Sequence, residues 1–160
     1  MRLLIFLSML FFVMNDAIAQ DTTILKGIGY RENLWKTPYS EWYVPGYDHY
    51  QPDTKVIEKC QKKLDDDLRI IVVMGTWCSD SRREVPHFYK IMDLLQFPTY
   101  NIKLIFVDRN KEDGNGEAAK LRITKVPTFI VTDRSGGELG RITEKPKKTL
   151  EKDLYKILKK

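Results

Sequence analysis

One stretch constrains the fold of this chain more than any other: an apolar run that ends in glycine and leads to a tryptophan–cysteine pair. The run reads RIIVVMG over residues 69–75, and Trp77 and Cys78 follow one residue later. A continuous, largely β-branched run of this length predicts a strand buried on both faces, as in a sheet covered by helices. Apolar residues then recur at helical spacing beyond Cys78 and predict a helix that begins at Ser79.

Further strands and helices are predicted on either side of this unit. A second buried strand is expected at 101–108, and two strands at 127–133 and 138–143 flank a glycine-containing turn typical of a hairpin. Helical spacing of apolar residues precedes the first strand, separates the strands and closes the chain. Strands that alternate with helices pair in parallel through right-handed crossovers. The sequence therefore predicts an α/β fold of three layers, a mixed central sheet with helices on both faces.

The first residues are typical of a signal peptide. Arg2 precedes an apolar run over residues 3–14, and small residues stand at positions 17 and 19. The run is shorter than the roughly 20 apolar residues that span a bilayer, although an uncleaved anchor is the alternative. We predict a signal peptide at 1–19 and an exported protein, periplasmic or secreted, with no stable membrane insertion after cleavage.

Residues 20–52 form an aromatic-rich extension without clear periodicity, and residues 53–160 are predicted to form the main domain. Large aromatic side chains are most often buried or interfacial, which favours a segment that covers the domain over one that lines a groove. The aromatic residues of the extension are Tyr30, Trp35, Tyr39, Trp42, Tyr43, Tyr47 and Tyr50.

Charge and cysteine content limit the partners. The formal net charge is +5, and the basic excess is concentrated near the C-terminus, where a solvated helix face explains it. An exported protein seldom meets nucleic acid, so no nucleic-acid partner is predicted. The second cysteine, Cys60, falls on the apolar stripe of a helix capped by Asp53 and is interpreted as a buried residue. His49 and His87 lack a set of metal-ligand partners, and no metal site or cofactor is predicted.

Two motifs in this order of elements resemble the thioredoxin-like superfamily. The first is the buried strand, the Trp77–Cys78 pair and a helix with Pro86 eight residues beyond the cysteine; the second is KVPTF at 125–129. The resemblance implies that Pro127 is a cis-proline facing the active cysteine, and it extends from residue 53 to the C-terminus. The stretch GTWCSDSRREVP is also similar to a bacterial thioredoxin-like subgroup with a Cys-x-Asp-Ser active-site motif.

Two positions depart from the thioredoxin pattern. Ser81 stands where the resolving cysteine is usual, and Val72 stands where thioredoxins place a buried acidic residue on the strand. Ser81 cannot form a disulfide, so a mixed disulfide on Cys78 has to be resolved by another thiol. These departures argue against ordinary dithiol reductase activity.

The chemistry expected at Cys78 is that of a thiolate. A helix N-terminus presents unpaired N–H groups and the positive end of the helix dipole, both of which stabilise an anion. We expect Ser81 to donate a hydrogen bond to this sulfur and Asp80 to oppose the negative charge. Arg82 and Arg83 offset Asp80 if either folds over the site; the alternative for these three charged residues is a plain helix-start and surface role.

The predicted substrate contacts are Trp77 and the segment Val126, Pro127 and Thr128, whose free main-chain groups would pair with an extended peptide. Packing is the alternative role for Trp77, and a purely structural turn is the alternative for Pro127. The leading hypothesis is thiol–disulfide exchange through one nucleophilic cysteine, of the isomerase or monothiol-reductase type, with protein thiols or disulfides or a low-molecular-weight thiol as partner. The alternative is a non-catalytic module that binds peptides or proteins. The sequence does not determine the oligomeric state.

Overall fold

The computed structural model describes residues 23–159, so the predicted signal peptide lies outside the described residues. The strands are β1 (Gly27–Gly29), β2 (Arg69–Met74), β3 (Ile102–Phe106), β4 (Thr128–Thr132) and β5 (Glu138–Thr143). The α-helices are α1 (Ser40–His49), α2 (Thr54–Gln61), α3 (Ser79–Leu94), α4 (Glu117–Lys120) and α5 (Leu150–Leu158), and short 3₁₀ helices occupy Arg31–Trp35 and Thr99–Asn101. Over residues 23–159, no helix is long and apolar enough to cross a membrane.

The five strands form one mixed sheet in the order β1-β3-β2-β4-β5. Strands β2 and β3 run parallel, whereas the β1–β3, β2–β4 and β4–β5 pairs are antiparallel. The parallel pair is connected through α3, and the β4–β5 pair is the hairpin expected from the turn at 134–137. The predicted α/β thioredoxin-like fold class is confirmed.

Helices cover the two faces of the sheet unequally. On β2, Ile70, Val72 and Met74 belong to the large core that packs under α1, α2, α3 and α5, while Val73 belongs to a smaller core on the other face. That smaller core includes Ala118 of the short helix α4. Successive side chains of a strand point to opposite faces of the sheet. Because both faces of β2 are covered, Ile70 to Met74 are all apolar.

Helix α3 begins at the cysteine and continues through its proline. Cys78 is the N-cap residue, and Pro86 lies inside the helix. Helix α1 crosses α3 at this point: a Cβ added at Gly46 would lie 3.1 Å from Pro86 Cβ. A larger side chain at Gly46 would therefore separate the two helices.

The extension is built into the same core, which agrees with the covering interpretation. Leu34, Tyr39 and Tyr43 are buried in the large core. Arg31 forms a two-pronged ion pair with Asp93 of α3, with both N–O distances at 2.8 Å. The extension thus contributes one edge strand, one helix and several core side chains that the sequence pattern did not indicate.

Candidate active site

Cys78 is placed at the point where the loop after β2 turns into α3. Its backbone is extended (φ −89°, ψ 124°), and its N–H donates to the carbonyl of Gly75 at 3.0 Å. The side chain is a free, partly exposed thiol. Its Sγ lies 3.3 Å from the carbonyl oxygen of Val126, and the Val126–Pro127 peptide bond is cis. The sequence motif and the segment after α4 therefore meet at this sulfur.

The three residues of the 126–128 segment, which were predicted to bind substrate together with Trp77, differ in how free their main-chain groups are. The Val126 carbonyl faces the sulfur, and within residues 23–159 no partner is found for the Val126 N–H. The Pro127 carbonyl accepts a hydrogen bond from Glu144 N–H at 2.7 Å. Thr128 pairs with neighbouring strands on both sides and is 1% exposed. The N–H of Val126 is thus open to a partner while its carbonyl accepts from the Cys78 thiol, whereas Thr128 belongs to the sheet and supports the site from behind.

Ser81 does not hold the sulfur in the way we expected. It is completely buried, and its Oγ accepts a hydrogen bond from the N–H of Gly75 at 3.3 Å. Among the described residues no hydrogen bond joins Ser81 to Cys78. The side chain at this position turns toward the body of the sheet, so Ser81 fixes the turn between β2 and α3.

The charged residues of the first turn of α3 are paired rather than free. Asp80 Oδ1 lies 2.7 Å from Arg83 and 3.6 Å from Lys145 Nζ. Arg83 also contacts the buried carboxylate of Glu84 at 2.7 Å. Arg83 and Lys145 therefore counter the negative charge that Asp80 places near the thiol. Lys145 comes from the segment after β5, and the sequence did not suggest its role.

Arg82 binds the loop that precedes Cys78 rather than the Cys78 sulfur. Its Nε donates to the Thr76 carbonyl at 2.6 Å, and its guanidinium lies 6.0 Å from the ring centre of Trp42 in α1. Of the two arginines considered for this role, Arg83 pairs with Asp80, whereas the carbonyl of Thr76 holds the guanidinium of Arg82. Arg82 links the active-site loop to the extension.

Trp77 is anchored beside the thiol. Its Nε1 donates to the Val107 carbonyl at 2.9 Å, and Arg109 lies 5.4 Å from the centre of its ring. A Cβ built on Gly75 would approach Trp77 Nε1 to 2.5 Å, so a side chain at 75 would displace the indole. The ring is half-buried and packs against the smaller core, which agrees with the packing role; its role as a substrate contact stays a prediction.

The start of the described chain is attached to the same loop. Thr76 Oγ1 donates to the carbonyl of Thr23 at 2.9 Å and accepts a hydrogen bond from the N–H of Leu25 at 3.3 Å. Thr76 is buried, although it directly precedes Trp77 and Cys78. This contact joins residues more than fifty positions apart, which is why no local sequence pattern could reveal it.

Cys60 is buried, as expected, and lies in the large core, whereas Cys78 packs against the smaller core. The side chain of Cys60 is fully buried, and its Sγ donates to the main-chain carbonyl of Glu151 at 3.6 Å. Burial, with a smaller effect of the Glu151 charge, raises the pKa of Cys60 from 9.0 to about 11. Both cysteines are free thiols. Among residues 23–159, no group of three or more His, Cys, Asp or Glu side chains is arranged to hold a metal ion.

A mixed sheet with a helix that begins at a partly exposed cysteine, opposite a cis-proline, defines the thioredoxin-like class of proteins. The comparison with known families agrees: the sequence model of the family described as thioredoxin matches residues 38–156. The chain therefore belongs to the thioredoxin family.

Two solved structures show a similar fold at low sequence identity, and a third has a lower structural similarity. A protein of unknown function from Pseudomonas aeruginosa is 16% identical with a TM-score of 0.53, covering 75% of this chain and 81% of that chain. An HIV epitope-scaffold is 17% identical with a TM-score of 0.50 and the same two coverages. A yeast mitochondrial 1-Cys peroxiredoxin is 19% identical with a TM-score of 0.41, covering 71% of this chain and 96% of that one. No curated protein matches the sequence.

Proposed function

We propose that this protein catalyses thiol–disulfide exchange with Cys78 as its single nucleophile. The observation that carries the proposal is the position of Cys78 Sγ: partly exposed, at the first turn of α3, and 3.3 Å from the Val126 carbonyl. A helix start is a position where a thiolate can be stabilised in general, and a thiolate is the species that attacks a disulfide. The adjacent Val126 main chain offers an N–H and a carbonyl to an extended substrate segment.

The absence of a cysteine at position 81 determines the second step. The Cys78 thiolate attacks one sulfur of the substrate disulfide, that bond breaks, and the other substrate sulfur leaves as a thiolate. Cys60 is too deeply buried to attack the mixed disulfide. A second thiol of the same substrate then attacks, which gives isomerisation, or an external thiol attacks and supplies the electrons for reduction of the substrate.

The setting we infer for this reaction is outside the cytoplasm. Residues 1–19 would be removed as a signal peptide, residues 20–52 would remain as the extension, and residues 53–160 would form the thioredoxin-like domain. The Cys-x-Asp-Ser motif at Cys78, Asp80 and Ser81 would mark a bacterial subgroup of this class. An oxidising compartment supplies disulfide substrates, and protein thiols or a low-molecular-weight thiol would be the partners.

A non-catalytic binding module is the second candidate. Its support is a groove of about 490 Å³ on the extension, lined by Trp35, Val44 and Tyr47 among others. Trp35 is 53% exposed and Val44 44% exposed, so two large apolar side chains of the groove reach solvent side by side. In this alternative a peptide would occupy the groove, and Cys78 would be incidental or form a trapping bond.

The test compares turnover of a scrambled disulfide substrate by the wild type, Cys78→Ala and Cys60→Ala, in a glutathione redox buffer. We expect the wild type and Cys60→Ala to restore native disulfides at similar rates, and Cys78→Ala to match the buffer alone. A wild type that shows no turnover, whether or not it binds unfolded protein, would exclude catalysis and favour the binding module.

A further inference from the structure

A basic pocket lies between β5 and α5, on the flank of the domain next to the proposed active site. It encloses about 340 Å³. Ile142 and Ile157, both buried, belong to its lining. The charged side chains of the lining are Arg141, Lys145, Lys147, Lys156 and Asp153. Four basic residues and one acidic residue therefore line the pocket, although the guanidinium of Arg141 is held by the Leu121 carbonyl at 3.0 Å and by Glu138.

The anions near the pocket are already engaged. Asp153 accepts a hydrogen bond from the main-chain N–H of Lys147, and Glu138 pairs with Arg141. Within residues 23–159, neither Lys147 nor Lys156 has an ion-pair partner for its ammonium group. A bound carboxylate could therefore pair with both ammonium groups beside an apolar surface. Binding would also reduce the repulsion between the positive charges of the lining.

The pocket begins close to Cys78. Lys145 Nζ, on its rim, lies 3.6 Å from Asp80 Oδ1 in the first turn of α3. The neighbouring Glu144 N–H binds the Pro127 carbonyl at 2.7 Å, next to the Val126 carbonyl that contacts the sulfur. An extended peptide advances about 3.3 Å per residue, so a segment paired at Val126 would reach the pocket within a few residues of its cysteine.

We propose that this pocket selects substrates, by binding acidic side chains that lie about three to five residues from the substrate cysteine in an extended protein segment. The inference rests on the proposed exchange reaction and names its substrate class. The apolar walls suit the methylene groups of glutamate, and the open end of the pocket lets the substrate chain continue past it.

The experiment measures how fast Cys78 forms a mixed disulfide with synthetic peptides activated as neutral thiopyridyl disulfides. The Cys78 thiolate attacks the peptide sulfur, the S–S bond breaks, and thiopyridine leaves and is counted by absorbance. Two peptides carry paired glutamates, on the N-terminal or the C-terminal side of the cysteine, and matched peptides carry glutamines. The protein is the full mature chain as wild type, as Lys147→Gln/Lys156→Gln, and as Lys62→Gln/Lys63→Gln, which removes the same charge from outside the pocket.

We expect at least one glutamate peptide to react about fivefold faster than its glutamine match with the wild type and with the Lys62/Lys63 variant. The Lys147/Lys156 variant should lose this preference while its rate with glutamine peptides is unchanged. High salt should also reduce the preference, because it screens exposed charges.

Three results would overturn the inference. If Cys78 reacts rapidly with all peptides but shows no preference for glutamate, the pocket has no role in selection and the proposed function stands. If the folded wild type reacts with no peptide faster than a free thiol does, the proposed function falls and the inference falls with it. If the Lys147/Lys156 variant is slower with glutathione disulfide but not with the glutamate peptides, the pocket serves a small anionic thiol and not a protein segment.

Discussion

Cys78 Sγ and the carbonyl oxygen of Val126 are 3.3 Å apart, although 48 residues separate them along the chain. A thiol donates a hydrogen bond to this carbonyl, but a thiolate has no proton to donate. Ionisation of Cys78 therefore releases the Val126 carbonyl just as the sulfur becomes nucleophilic. In the proposed reaction, the same event would prepare both the attacking atom and an acceptor for the main-chain N–H of a substrate.

The two cysteines should differ strongly in reactivity. Burial raises the pKa of Cys60 to about 11 from 9.0, which reduces its thiolate fraction on the order of a hundredfold at neutral pH. Cys78 is partly exposed at a helix start. Brief iodoacetamide treatment of the folded protein, followed by mass spectrometry of peptides, should find Cys78 modified and Cys60 intact. Treatment in denaturant should modify both, and modification of Cys60 in the folded protein would contradict the buried site.

A second cysteine in place of Ser81 should convert the site to a dithiol. Positions 78 and 81 are the N-cap and third residue of α3, and side chains three apart on a helix are about 5–6 Å apart at Cβ. Ser81→Cys should form an internal disulfide on mild oxidation, and its mixed disulfides should be released at least tenfold faster than those of the wild type. Thiol titration and non-reducing gels measure both effects.

The control for that experiment is Ser81→Ala, which removes the contact with Gly75 but adds no thiol. It should keep the long-lived mixed disulfide of the wild type. Two free thiols persisting in Ser81→Cys after oxidation would show that the buried side chain at 81 cannot turn toward Cys78.

The main domain was predictable because its central strands are buried on both faces and its helices carry regular apolar stripes. Strand β2 is apolar at every position from Ile70 to Met74, and Asp53 caps α2 by accepting from Lys55 N–H at 3.1 Å. The extension gave no such signal. Strand β1 has three residues, two of them glycine, and α1 contains Pro45 and Gly46. Strand β1 and helix α1 are therefore stabilised by their tertiary contacts with β3 and α3 rather than by the secondary-structure preferences of their own residues.

The candidate site was predictable only where its parts are sequence motifs. Cys78 and Pro127 stand in short motifs that the family shares, but Lys145 and Thr23 reach the site from distant segments. Ser81 also lies in a motif. Its hydrogen bond with Gly75 N–H, however, forms because the first turn of α3 is buried, which the motif does not show. Spacing along the chain identifies residue types, whereas pairing across the fold depends on the packed structure.

Arg31 should be a major stabilising residue of the extension. Its guanidinium pairs with Asp93, donates to Tyr43 Oη at 2.8 Å and lies 4.9–5.4 Å from three aromatic rings. Only 14% of its side chain is exposed. Arg31→Met should lower the free energy of unfolding by about 2–3 kcal/mol, measured by urea denaturation. Arg134→Met removes the exposed pair with Asp67 and should change it by no more than about 0.5 kcal/mol.

The Arg31–Asp93 ion pair should make the free energy of unfolding depend on pH in the acidic range. Burial raises the pKa of Asp93, but hydrogen bonds from Arg31 and Tyr47 outweigh burial, and the pKa lies below its usual value. A lowered carboxyl pKa gives stability that is present above the unfolded pKa of about 3.9 and lost as pH falls through the folded value. Between pH 7 and pH 3, the free energy of unfolding should therefore fall more for the wild type than for Asp93→Asn. Equal losses would show that this carboxyl does not contribute.

The hydroxyl of Tyr50 should stabilise the fold by donating a hydrogen bond to the buried carboxylate of Glu151. Glu151 is 2% exposed; its Oε2 accepts from Tyr50 Oη at 2.8 Å and its Oε1 from Asp53 N–H at 3.3 Å. Burial, followed by the hydrogen bond to Glu151, raises the pKa of Tyr50, so the phenol stays protonated and remains a donor. Tyr50→Phe keeps the ring stacked on His87, at a centroid distance of 3.9 Å, and removes only that donor.

An unsatisfied buried acceptor costs about 1–3 kcal/mol, more when it is charged. We therefore expect Tyr50→Phe to lower the free energy of unfolding by about 2 kcal/mol at pH 7. Part of the loss should be recovered at low pH, because a protonated Glu151 no longer needs two donors. Tyr100→Phe makes the same chemical change at a side chain that is 86% exposed and should leave stability unchanged. Equal effects of the two substitutions in urea denaturation would mean that the Tyr50–Glu151 hydrogen bond does not support the junction between the extension and α5.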